Sequence, residues 1–133
     1  MSAGQETILD DYAFLVSETD AKGNILFANN DFCKIAEYTL DELIGKPHSM
    51  VRHKDMPKIA FKGLWDTIAA GKTWNGIVKN KTKNGDYYWV NATAYEVIKN
   101  DGTHRLISVR KKPTQEEVAF AETLYQQLKK EEY

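Results

Sequence analysis

A chain of 133 residues amounts to about one domain, which excludes a multidomain enzyme. With 42% hydrophobic and 28% charged residues, and no uncharged apolar run approaching the ~18 residues of a membrane span, it reads as a soluble, cytoplasmic globular domain with no direct membrane insertion. Its single cysteine, Cys33, allows no internal disulfide, and the net charge of −1 hides an acidic start and a basic middle: residues 46–83 hold nine Lys or Arg against two acids.

In chain order, residues 1–12 read as an N-terminal flank, 13–112 as the folded domain and 113–133 as a C-terminal helix. Ala13 to Thr19 and Asn24 to Ala28 are short β-branched or aromatic runs around Asp20-Ala21-Lys22-Gly23, which predicts a hairpin. Asn29 or Asn30 can cap a short helix carrying Phe32, Ile35 and Ala36, and Thr39-Leu40-Asp41-Glu42 is a capping box that Gly45 and Pro47 soon stop. Pro57 suits the first turn of a longer helix with Asp55 as its cap, Phe61, Trp65, Ile68 and Ala69 on one face, and Gly71 as its stop.

Trp74 to Thr82 and Tyr87 to Ile98 flank Lys83-Asn84-Gly85-Asp86, whose Asn-Gly pair predicts a type I′ hairpin turn. Asn100-Asp101-Gly102 turns the chain into a last strand, about Thr103 to Lys111. After Pro113 a second capping box, Thr114-Gln115-Glu116-Glu117, opens the terminal helix. Strands, then helices, then strands imply an α+β fold: a five-stranded antiparallel sheet with helices covering one face and a C-terminal helix. A pocket between that face and the helical segment is the natural ligand site.

The basic middle suits phosphates but equally a solvated lysine-rich face. Arg52 and His53 stand just before the Pro57 helix, where a guanidinium and a helix N-terminus can share an anion; Arg52 and Asp55 can equally form a local ion pair. Trp74 could lay its indole against a flat ring, with Trp65 and Phe61 as the opposite wall; core packing is the plainer role for these and for Trp89. His48, His53 and His104 with one cysteine make no metal-ligand cluster, and no nucleophile triad, carboxylate pair or phosphate-binding glycine loop stands out. Nothing in the sequence suggests turnover of a substrate.

The order of elements, the stretch Gly45-Lys46-Pro47-His48-Ser49-Met50-Val51-Arg52-His53-Lys54-Asp55-Met56-Pro57, then Trp65, Trp74-Asn75-Gly76-Ile77-Val78-Lys79-Asn80 and Lys83-Asn84-Gly85-Asp86-Tyr87-Tyr88-Trp89-Val90 together resemble the PAS domains of the aerotaxis-receptor and energy-taxis family, over most of residues 10–112. The resemblance implies non-covalently bound FAD, with Arg52, His53 and Asp55 as contacts, Asn80 as a flavin-contacting amide and Asn29 as another. A side-chain amide can accept from a protonated ring nitrogen or donate to a bare one, so Asn80 suits a site that distinguishes flavin redox states. The resemblance further implies a redox or energy sensor, not an enzyme, acting on a chemoreceptor-type transducer with HAMP and methyl-accepting regions in cis or in trans. A homodimer through residues 1–12 or the terminal helix is possible, and nucleic acid is not an expected partner. The competing expectations are a PAS dimerisation module without cofactor or with another ligand such as haem, and a small flavoenzyme.

Overall fold

Three hairpin turns of one construction shape the sheet in the computed structural model, which describes residues 4–132. In each, a glycine N–H donates to the carbonyl three residues earlier: Gly23 to Asp20 at 3.1 Å, Gly85 to Thr82 at 3.1 Å and Gly102 to Lys99 at 2.9 Å. The Asn84-Gly85 turn is therefore not the type I′ turn that its sequence predicts. That turn needs two left-handed residues, whereas Glu37 is the only non-glycine with positive φ among the described residues. A single left-handed residue, Gly85 at φ +94°, closes the loop instead, and the third loop position relieves Asn84 of that conformation.

The strands are β1 (Leu15–Thr19), β2 (Ile25–Ala28), β3 (Trp74–Lys81), β4 (Tyr87–Ile98) and β5 (His104–Lys111). They form one antiparallel sheet in the order β2-β1-β5-β4-β3, so the first and last strands lie side by side at its centre. The helices are α1 (Asn30–Ala36), α2 (Leu40–Leu43), α3 (Lys58–Ala69) and α4 (Gln115–Glu131), with a 3₁₀ turn at His48–Val51. Both predicted capping boxes form, at Thr39 with Glu42 and at Thr114 with Glu117.

Phe32 and Ala36 of α1, Leu43 of α2, Val51 and Met56 are buried with Leu15, Ile25, Ala28, Tyr88 and Val90 in one core on the inner face of the sheet. The outer face carries α4, whose Tyr125 ring stacks on Trp89 with centroids 6.4 Å apart while its hydroxyl donates to the Ile77 carbonyl of β3. Trp89 thus lies on the face away from the core, because residue 89 alternates with the inward Tyr88 and Val90. From Gly4 onward the N-terminal flank is part of the fold. Thr7 N donates to Tyr87 O at 2.7 Å, Tyr87 N to Gln5 O at 3.1 Å, and Leu9 is buried in the core. It occupies the edge of β4 that β5 leaves open beyond the Asn91–Lys111 pair.

Candidate functional site

The segment after α2 crosses the inner face of the sheet from one edge to the other. It begins on β2, where Gly45 N donates to Ile25 O, Ile25 N to Lys46 O and His48 N to Gly23 O. It ends on β3, where Arg52 pairs with Asn80 as an antiparallel bridge and His53 N donates to Lys79 O at 3.3 Å. An extended backbone sends successive side chains to opposite faces. Arg52 accordingly enters the cleft, while His53 turns outward beside Tyr87, ring centroids 6.0 Å apart.

The cleft, about 100 Å³ of cavity within some 710 Å³ when the open solvent beside it is counted, lies between this segment, α3 and the sheet. Its floor includes small side chains set side by side by strand register: Ser17 opposite Ser108 and Ser108 opposite Ala94, with Ala92 on the same face of β4. Its walls are Phe61, Leu64 and Trp65 from α3, with Trp74 from β3 and Arg52 at the mouth. The Arg52 guanidinium lies 3.6 Å from the centroid of the Phe61 ring, a stacked cation–π contact that gives the wall a flat, charged rim. Of α3 only Ile68 is buried, so the helix leaves much of its apolar face turned to the cleft without sealing it on the sheet.

Arg110 lies at the base of the cleft and is 5% exposed. Its Nη1 donates to Ser17 Oγ at 3.0 Å and its Nη2 to His48 Nε2 at 2.9 Å; its remaining partner is the Ser108 carbonyl, and no carboxylate is among them. A guanidinium has no acceptor, so His48 Nε2 must be the bare nitrogen and the ring proton sits on Nδ1. Ser17, accepting from Arg110, then donates its hydroxyl proton to the same Nε2 at 3.1 Å. Burial, reinforced by the charges of Arg110 and Arg52, pushes His48 down to about 3, so it is neutral at neutral pH. Burial also brings Arg110 down to about 10, which leaves it protonated. Behind the cleft the fully buried Tyr88 hydroxyl makes no well-formed hydrogen bond among the described residues, and its pKa rises to about 12 through burial, opposed by the Arg110 charge and by the neighbouring Asn80 amide. Asn80, 4% exposed, is its cross-strand neighbour.

Of the residues singled out from the sequence, Arg52, Phe61, Trp65, Trp74 and Asn80 meet at this cleft. His53 and Asp55 do not line it. Lys79 Nζ pairs with Asp55 at 2.9 Å and lies 4.4 Å from the Tyr87 ring centroid, and His53 Nδ1 accepts from Asp55 N at 3.0 Å. Asp55 therefore does not cap α3: the N-cap is Pro57, without a side-chain bond, and Lys58 N donates to the Glu132 carboxylate of the last helix turn region. Asn29 is spent on structure. Its Oδ1 accepts from Phe32 N and Val16 N, its Nδ2 donates to Phe14 O, and it caps α1 as one reading of the sequence had it.

Sequence reasoning missed Arg110, the place of His48 beside it, and the floor of Ser17, Ala92, Ala94 and Ser108. Ala92 and Ala94 alternate on β4, but Arg110 is one of three Lys or Arg on β5, beside Arg105 and Lys111, and only strand register joins it to the small residues. Among the described residues no group of three or more His, Cys, Asp or Glu is placed to hold a metal ion, and no helix is long and apolar enough to cross a membrane. With its Nε2 lone pair engaged by Arg110, His48 is also poorly disposed to ligate haem iron.

Residues 25–110 match the family model described as the PAS fold. The chain is 47% identical over 124 residues to the aerotaxis receptor of Escherichia coli (strain K12), covering 93% of this chain and 24% of the receptor. It is 33% identical over 95 residues to the biofilm dispersion protein BdlA of Pseudomonas aeruginosa, covering 71% of this chain and 22% of that protein. The chain thus spans about a quarter of the length of these relatives. Its fold superposes on a light-oxygen-voltage domain whose mechanism was addressed with a flavin analogue, with a TM-score of 0.67 at 17% identity, covering 89% of this chain and 87% of that one.

Proposed function

The chain belongs to the PAS-fold family, and from that premise we propose that it is a sensor domain that holds FAD non-covalently and relays the redox or energy state of the cell to a chemoreceptor-type transducer. The observation that carries this reading is the cleft: a flat floor of small side chains beneath aromatic walls, with the buried, carboxylate-free Arg110 at its base. A flat, weakly polar ring fits such a floor and walls, and its electron-rich edge would supply the anionic partner that Arg110 lacks. The similarity to the aerotaxis receptor supports the taxis role, and the resemblance read from the motifs supports FAD over other flavins.

Phe61, Trp65 and Trp74 would flank the ring, Asn80 and Arg110 would meet its polar atoms, and Arg52 at the mouth would meet the phosphates. His53 and Asp55 would act by holding the Arg52 segment to β3, through His53 N to Lys79 O and Asp55 to Lys79, and Asn29 by anchoring α1 to β1. A bound flavin supplies reversible electron and proton uptake. The chain's own part is the relay. Asn80 faces the cleft, and three residues earlier on the same strand the Ile77 carbonyl accepts from Tyr125 of α4. A turn of the Asn80 amide that strains β3 would therefore reach the helix on the opposite face.

The test is the visible spectrum of the purified domain under oxidising and reducing conditions, with the released chromophore identified after heating. Oxidised-flavin bands that bleach on reduction, and FAD in the released fraction, are the expected result. A colourless protein that FAD cannot reconstitute would reject the reading, and a haem Soret band would transfer it to the alternative ligand.

A further inference from the structure

We propose that Gly76 is a positioning residue of this site: by having no side chain it lets the Trp74 indole lie along β3 and form the cleft wall, a role that rests on the cleft being the flavin site. Trp74, Gly76, Val78 and Asn80 occupy alternate positions of β3 and share its inner face. A Cβ at residue 76 would stand 2.5 Å from both Cη2 and Cζ2 of Trp74 and 3.3 Å from its Cε2. Carbon atoms in contact sit about 3.5–4.0 Å apart, so the far ring of the indole fills the space that any side chain at residue 76 would need.

The backbone gives no other reason for glycine here. Gly76 is absent from the positive-φ residues that include Gly85 and Gly102, and glycine within a strand is otherwise unfavourable. On β4, Ala92 faces Gly76 and Ala94 faces Trp74, both too short to shoulder the indole into place. The indole is placed by close packing along its own strand. The atoms nearest a methyl at residue 76 are the far ring of the half-buried Trp74 side chain and not backbone, so alanine displaces the indole without breaking the sheet, and removing a strand glycine favours the folded state.

The experiment compares the wild type, Gly76→Ala, Trp74→Ala and the double variant, each labelled with 5-fluorotryptophan at the remaining tryptophans. In the protein without flavin, fluorine NMR of Gly76→Ala should show the Trp74 resonance moved, with those of Trp65 and Trp89 in place and thermal stability equal or higher. FAD affinity should fall about tenfold in Gly76→Ala and should not fall further when the same change is made in Trp74→Ala. An unmoved Trp74 resonance, or an equal loss of affinity in the Trp74→Ala background, would overturn the proposal. Should the wild type bind no FAD, the functional reading fails, and the Trp74 resonance alone still decides whether Gly76 places the indole.

Discussion

Arg110 donates to His48 across 2.9 Å, and because only the guanidinium can donate, the pair holds a cation beside an imidazole that is kept from taking a proton. One buried cation is thus left facing the cleft without an anion. This arrangement is a poor way to stabilise an isolated fold and a good way to receive an electron-rich ligand.

Burial of His48, with the Arg110 charge beside it, makes stability fall with acid. The unfolded chain binds a proton at His48 near its ordinary value of 6.5, whereas the folded chain waits until about 3. Stability from this site is therefore complete above about 6.5 and is lost progressively as pH falls toward about 3, because the unfolded state takes the proton first. Arg110→Met removes a charge that holds His48 down, so its denaturant-melt stability should vary less between neutral and mildly acidic pH than that of the wild type. The same variant should keep or gain ligand-free stability at neutral pH and lose FAD affinity. Identical pH slopes would show that Arg110 does not govern His48.

Arg52 and Asp55 should affect flavin by different routes. Arg52→Ala removes the guanidinium stacked on Phe61 at the mouth and should weaken FAD binding while leaving the His53 amide, bonded to Lys79 O, protected from hydrogen exchange. Asp55→Asn breaks the pair with Lys79 and should weaken binding together with a loss of that protection. Exchange mass spectrometry of both variants separates contact from positioning. Equal protection in the two would refute the distinction.

Tyr125→Phe keeps the ring over Trp89 and deletes the hydroxyl bond to Ile77 O, weakening the docking of α4 by about 1 kcal/mol. Flavin binding should be unchanged. Exchange of α4 amides, which should differ between oxidised and reduced wild-type samples, should lose that difference in the variant. If the difference persists, β3 does not signal to α4 through this bond.

Gly85→Ala should destabilise the domain by about 1–2 kcal/mol in thermal or denaturant melts, because the residue holds φ +94° with nothing within 4 Å of its would-be Cβ, so the penalty is backbone strain alone. Gly85→Asn should lose less, since asparagine tolerates the left-handed region better. Equal melting of the alanine variant and wild type would contradict the turn described above.

Strand alternation, the glycine turns and the two capping boxes are local signals, and the element order, the antiparallel sheet and the helix bounds were legible from them to within a residue or two. The type I′ assignment failed because a dipeptide does not reveal whether its loop holds two residues or three. The site was half legible. Phe61, Trp65 and Trp74 are large apolar residues in amphipathic elements, and Arg52 and Asn80 stand in recognisable motifs. His53 and Asp55 are in the same motif, yet one residue of extended backbone separates the cleft from the opposite face, and only the bridge between Arg52 and Asn80 decides which residue faces which way.

The sequence by itself determined the order of strands and helices and the large apolar residues on them, because these repeat at the 2.0 and 3.6 residue periods of strand and helix, while its motifs carried the resemblance to the PAS family. The base of the site was decided by tertiary structure alone. Ser17 of β1, Ala92 of β4 and Arg110 of β5 become neighbours through the register of strands far apart in the chain, and burial of an unneutralised guanidinium beside a neutral histidine is a property of that meeting and of no segment taken singly.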